Sequence, residues 1–532
     1  MPTVKDNELV LAIRMRELCR PPSAWNRALW SVSAQTALRE VLEAAKVRRD
    51  GILSDASLTN LQHTTAVLLG KDPGLGDAVA RKHLQTALQN GKSVITPGSL
   101  SAATIDQVVQ DLDSQYLPRW ATAIDAGVAD AILEQCARSV VSHLLNRGHS
   151  RQCVADRISD AVLKPVSTIT KASDLIRDLQ TLASQPSTEY EAVFPVSSAP
   201  DSNKTKSPGW MPGATLVGWM KTNAIPDFAA NERASGAVTF KVAAPDRPAA
   251  EHTAAARFAV IRDRAMLSVR QPIASLGYFW LSGSPQKASI EPQSRGVEVA
   301  SIGRQDKIYS TDDSIPNIER SIALLAELDH GPSSAAVTSG WAAVESLAMG
   351  PAEDGDRIET AVRIAALVTA SFVRAELTTL AYSYAKSNKD ALTGEIKSAA
   401  NNKERCEKIM QRLQTPPLPT FGRVEDAAGA KRMVQLLNDP VTTLKRINQY
   451  IECALRRLYR LRNLVAHGAR TDFIALEAGV RAAAPLVGAA FDRIYHASTS
   501  QALNPVELIA RAQLRIAMLD AAQVAGLLNL LD

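Results

Sequence analysis

Apolar residues recur at helical intervals through most of the chain. In residues 1–185, Trp25, Leu29, Leu38, Val41 and Leu42 keep this spacing, and Pro21-Pro22, Pro73-Gly74 and Pro97-Gly98 interrupt it. Near Gln185 the pattern changes to SQPSTEYEAVFPVSSAPDSNKTKSPGWMPG, rich in Pro, Ser and Gly, which predicts a strand and then an exposed loop. A second strand is expected over 236–242, leading through Pro245-Asp246-Arg247-Pro248 into an Ala-rich helix, and a third within 288–302. From residue 314 the helical period returns, with helices expected over 318–328, 334–349 and 357–384 and a fourth ending near 467. Between the third and fourth lies an insertion, 386–439, with a basic helix and the Pro416-Pro417-Leu418-Pro419 break. The chain closes on an amphipathic to apolar helical pair from Pro505. The expected architecture is mainly α: a helical N-terminal domain (1–185), a small α+β module (186–310), a helical bundle (311–500) and C-terminal helices (501–532).

Composition makes this an ordinary globular protein, 46% hydrophobic and 22% charged, long enough for more than one core. The first residues alternate charged and apolar positions and lack a signal-peptide run, and the apolar stretch 364–373 is too short to span a bilayer; a cytoplasmic protein without membrane contact is expected. Cys19, Cys136, Cys153, Cys406 and Cys453 form no CxxC pair or zinc spacing, so they read as buried small apolar residues. Neither metal nor cofactor is expected. The net charge of +5 is unevenly spread: residues 397–470 hold 15 Lys/Arg against 6 Asp/Glu. Such a patch suits an RNA backbone through counterion release, and Arg456, Arg457, Arg460 and Arg470 are the candidate contacts. A solvated helical face is the plainer meaning of the same run.

The densest chemistry lies in LRRLYRLRNLVAH, residues 455–467. On a helical wheel centred at Leu458, residues Ile451, Ala454, Leu455, Leu461 and Val465 form one apolar stripe. Arg462 falls about 40° from its centre, so its guanidinium needs an acid or an anion for company. Asn463 and His467 fall at about 140° and 180°, on the polar side with Arg456 and Arg460. Gly468 is placed to end the helix in a left-handed conformation.

RNLVAHG resembles the Arg-x4-6-His signature of the HEPN superfamily, and Trp341-Ala-Ala-Val-Glu345-Ser-Leu347 is similar to the Trp/Glu helix found upstream in bacterial members. The resemblance covers roughly 311–500 and implies a metal-independent endoribonuclease, a prokaryotic toxin or antiphage effector, with Arg462, Asn463 and His467 catalytic and Glu345 holding the arginine. It further implies an active homodimer, because Arg462 and His467 stand about 140° apart on one regular helix and a two-fold axis can converge them on one phosphate. RNA is then the partner, with a phage or host trigger sensed by the N-terminal region. Two other readings stay open: a non-catalytic module or scaffold binding nucleotide or RNA, and a helical regulatory subunit in which Arg462 makes a structural ion pair and His467 caps a helix.

Weaker signals are set aside. Gly91-Lys92-Ser93 lacks the first P-loop glycine, and Asp111 and Asp113 have helical rather than strand surroundings. His143 and His149 read as turn chemistry near a helix end, and Trp210 and Trp219 as loop or core anchors rather than a base platform.

Overall fold

The computed structural model describes residues 6–20, 24–89, 94–127, 130–162, 169, 171–198, 209–311, 315–348, 357–468, 471–519 and 524–532. The chain is mainly helical, with one five-stranded antiparallel sheet in the middle region. The first helices are α1 (Asp6–Cys19), α2 (Ala34–Arg49), α3 (Asp55–Leu69), α4 (Ala78–Gln89), α5 (Leu100–Asp125), α6 (Asp130–Asn146), α7 (Arg151–Val162) and α8 (Ala172–Ala183). The middle holds β1 (Thr188–Val196), β2 (Trp210–Pro212), α9 (Gly213–Thr222), β3 (Gly236–Ala244), α10 (Arg247–Val269), β4 (Tyr278–Leu281) and β5 (Ala288–Ser289). Then follow α11 (Ala300–Arg304), α12 (Pro316–His330), α13 (Ser333–Ala348), α14 (Arg357–Ser387), α15 (Ala391–Ser398), α16 (Asn402–Leu413), α17 (Val424–Asn438), α18 (Pro440–His467), α19 (Leu476–Gln501) and α20 (Pro505–Ala517).

These elements form two compact units. The larger comprises 1–146, 155–180 and 295–532, the smaller 147–154 and 181–294. The N-terminal helices and the C-terminal bundle, divided in the sequence reading, thus belong to one unit. Helices α15 to α17, expected as an insertion on a bare bundle, pack on α14 and are part of the same core. Helix α14 extends well past the apolar stretch 364–373. Its segment Ile358–Ser387 is long and apolar enough to cross a membrane by length and composition, with 72% of its apolar window buried inside the protein.

The smaller unit shows why its strands form. Sheet order is β2-β3-β1-β4-β5, and β1 pairs with β3 in the register Thr188↔Ala244 to Val196↔Gly236. Alternate residues of β1 face opposite sides: Ala192 and Phe194 join one core with Phe258 of α10, and Val193 joins another with Leu216 and Met220 of α9. Phe194 stacks on both Phe258 (4.1 Å) and Phe279 (4.4 Å). Short β2 and β4 escape the sequence reading, and 288–302 supplies only a two-residue strand before α11. Asp246 caps α10 by accepting from the Ala249 N–H at 2.9 Å, with Pro248 in the first turn.

In the larger unit, Asp72 opens a short 3-10 turn at Pro73–Leu75, accepting from Gly74 N–H (2.8 Å) and from the Tyr116 hydroxyl on α5 (2.7 Å). Gly74 is needed there because a Cβ would enter the Tyr116 and Trp120 rings. Burial outweighs the hydrogen bonds from Tyr116 and Gly74 and lifts the Asp72 carboxyl to about 6. An acid whose folded value is raised stabilises the protein fully below its unfolded value of 3.8, and that contribution is lost as pH rises through about 6. Wild type should therefore lose up to about 3 kcal/mol between pH 4 and 7 relative to Asp72→Asn. Urea unfolding of both chains at the two pH values measures this; parallel pH profiles would refute it.

Candidate functional site

Helix α18 carries the candidate residues. Asp439 caps it by accepting from Thr442 N–H, Pro440 fills its first turn, and its 28 residues span about 42 Å. The expected stripe is buried: Ile451, Ala454, Leu455, Leu458 and Leu461 are all at most 1% exposed, with Val465 half-buried. On α13, fully buried Trp341 packs against Tyr459 of α18 with ring centroids 4.8 Å apart.

The far end of α18 departs from the sequence reading in two ways. Arg462 is half-buried, as its wheel position requires, but no ion pair joins it to Glu345, which is half-buried on α13. Arg462 Nη1 instead donates to Asn463 Oδ1 at 3.0 Å, so the asparagine orients the guanidinium rather than an imidazole. Gly468 has φ −85° and ψ −7°, a right-handed conformation, and donates its N–H to the Leu464 carbonyl at 2.7 Å. Glycine is required there for space, since a Cβ would meet that carbonyl and the Phe473 ring. His467 is the last helical residue and is exposed. The end of α18 thus carries, on different sides of the helix, a guanidinium with one N–H held by Asn463 and a solvent-facing imidazole, the groups needed for anion stabilisation and proton transfer.

Of the four arginines expected to hold RNA, the three among the described residues do not form an exposed surface. Arg457 and Arg460 are buried, their side chains 5% and 7% exposed, and both donate to Glu40 of α2, at 2.8 and 3.0 Å. Their wheel positions are polar only for an isolated helix; here α2 covers that side. Arg456 is mostly covered and pairs with Glu452 one turn back at 2.6 Å, while Arg470 lies outside the described residues, as do Gly91, Lys92 and Ser93. Glu40 gives no distinct sequence signal: it is one of several charged residues of α2, set beside the apolar positions Ala37, Val41 and Ala44, and it lies 417 residues from Arg457.

Elsewhere, Asp111 and Asp113 lie on α5, capped by Ser99. His143 is buried within α6 against Tyr116 at 5.0 Å, and Trp219 anchors α9 by donating to Glu191 at 2.7 Å. Four of the five cysteines are buried and all are free thiols; Cys153 is half-buried. Against the expectation of no metal-ligand cluster, ligand atoms of His149, Cys153 and Asp246 lie within 4.8 Å of one another, a set that could hold a divalent cation. Spacing could not reveal it, because Asp246 arrives from 97 residues away. Its carboxylate already accepts from His149 Nδ1 (3.3 Å), Ser150 N–H (2.9 Å) and Ala249 N–H, so it also serves two helix starts. Burial pushes its pKa up, but those hydrogen bonds more than offset this and hold it below the usual carboxylate range.

No family model matches the chain, and no curated protein or solved structure matches it.

Glu40→Ala should leave two buried guanidiniums unpaired and cost about 3–5 kcal/mol in urea unfolding. Burial raises the Glu40 pKa, but Arg457 and Arg460 outweigh it and hold the carboxyl below its ordinary 4.5. The sign follows: its stabilisation is complete above the unfolded value and is lost as pH falls through the lower folded one. Wild type should thus lose more stability on acidification than Glu40→Ala; equal acid slopes would remove the pairing.

Proposed function

We propose that the chain is a metal-independent endoribonuclease of HEPN type, acting as a prokaryotic toxin or antiphage effector. The observation that carries this reading is the end of α18, where Arg462 is clamped by Asn463 and followed one turn later by an exposed His467. The packing of Trp341 on Tyr459 in the same bundle supports it. In the reaction, the ribose 2′-oxygen attacks the adjacent phosphorus and the P–O5′ bond breaks. His467 exchanges the proton between the two oxygens, and Arg462 stabilises the pentacoordinate phosphate. The products are a 2′,3′-cyclic phosphate and a 5′-hydroxyl end. Because the nucleophile is supplied by the RNA itself, side chains suffice for acid–base work and charge stabilisation.

Arg462 and His467 point about 140° apart around the helix, so one copy alone aims them at different places. A homodimer with its two-fold axis beside α18 would join the arginine of one copy to the histidine of the other. The second reading, a nucleotide- or RNA-binding scaffold, rests on the same half-buried guanidinium used without proton transfer.

His467→Ala should lower RNA cleavage by about 10²–10⁴ while the protein stays folded, since the residue is exposed. Cleavage by wild type should persist in EDTA and stop on a substrate with 2′-deoxyribose at the scissile position. Mixed Arg462→Ala and His467→Ala chains should regain partial activity. Full cleavage by His467→Ala ends the nuclease proposal, whereas RNA binding without cleavage by wild type favours the scaffold.

A further inference from the structure

A cavity of about 230 Å³ opens inside the larger unit, between α1 and α6 on one side and α14, α17 and α18 on the other. It has room for roughly seven or eight waters at liquid density, so a small molecule fits. Its apolar wall includes Leu11, Phe372, Met433 and Ile447.

The charges around it divide into two groups. Inside, Arg14, Arg27, Arg138 and Arg432 meet Glu17, Glu134, Glu376 and Asp426 in a connected network, four cations against four acids. Outside that balance stand Lys431 of α17 and Arg446 of α18, both exposed and both lining the cavity. Among the described residues neither has an acid within ion-pair distance. The cavity therefore carries a surplus of two positive charges at its opening.

Two donors within it are also unused. Arg138 is 7% exposed at its side chain, its guanidinium lying 4.9 Å from the Trp30 ring and 5.2 Å from the Tyr450 ring. Its Nε bonds Glu134 at 2.7 Å, yet its Nη1 is buried without a hydrogen-bond partner. Arg432 uses Nη2 on Glu17 at 2.8 Å and leaves Nη1 buried and unpartnered. A buried N–H without an acceptor is unfavourable, and an anion bound in the cavity would supply one to Arg432. Burial, reinforced by the nearby Arg14, weakens Arg138's hold on its proton, and Glu134 offsets this only in part.

We propose that this cavity binds a small amphipathic organic anion. Its apolar body lies against Phe372, Met433 and Ile447, and its carboxylate, sulfonate or phosphate is held by Lys431, Arg432 and Arg446. This site is independent of the reading of α18's far end.

The test uses the full chain and 8-anilinonaphthalene-1-sulfonate, an aromatic anion whose fluorescence rises on leaving water. Wild type should bind one dye per chain saturably, and octanoate should displace it whereas inorganic sulfate at equal ionic strength should not. The double variant Lys431→Glu, Arg446→Glu, at exposed positions that leave the core intact, should weaken binding by roughly tenfold or more, as attraction becomes repulsion. Ile447→Trp, which fills the cavity, should abolish it. Absence of saturable binding, displacement by sulfate alone, failure of octanoate to compete, or undiminished affinity in a folded double variant would each overturn the proposal.

Discussion

Two guanidiniums and one carboxylate, buried together, set the organisation of the larger unit. Arg457 and Arg460 could not remain in the interior of a helical bundle without an acid, and α2 brings Glu40 to both. The pattern repeats around it: Arg432 of α17 meets Glu17 of α1, while Arg27 meets Glu376 of α14 and Asp426 of α17. Three of the fifteen Lys/Arg of residues 397–470, Arg432, Arg457 and Arg460, are therefore the complement of acids carried by the first helices. At these positions, charge that looks like a surface for nucleic acid in one dimension is spent on holding distant parts of the chain together.

That dependence explains what the sequence revealed and what it hid. The apolar stripe of α18, the Trp341 helix and the Pro245-Asp246-Arg247-Pro248 entry to α10 were all legible, because each is a local pattern within one turn or one face. The burial of Arg457 and Arg460 was not. A wheel places residues relative to their own helix, and α18 is covered on a second side by residues more than 400 positions earlier. The same limit hid the cluster of His149, Cys153 and Asp246. The expected partner of Arg462 differs for the opposite reason: Asn463, the next residue, accepts one guanidinium N–H locally, where the resemblance implies a distant acid on α13.

Within the smaller unit the constraint is aromatic rather than ionic. Phe194 sits at the centre of a stack with Phe258 and Phe279, fixing β1 against β4 on one side and α10 above both. One residue further along, Val193 belongs to the opposite face with α9. A slip of one position in β1 would exchange these faces, so the two different cores specify its register.

Helix α18 is continuous from Pro440 to His467. Its early turns, at Thr443, Arg446, Ile447 and Tyr450, border the cavity; its middle is clamped by Glu40; its last turns present Arg462, Asn463 and His467. With no proline or π-bulge along its interior, the helix has none of the usual causes of a sharp kink. One continuous backbone therefore fixes both where the cavity wall lies and where the last turn ends, and this helix has the form of a spine shared by two places of different chemistry.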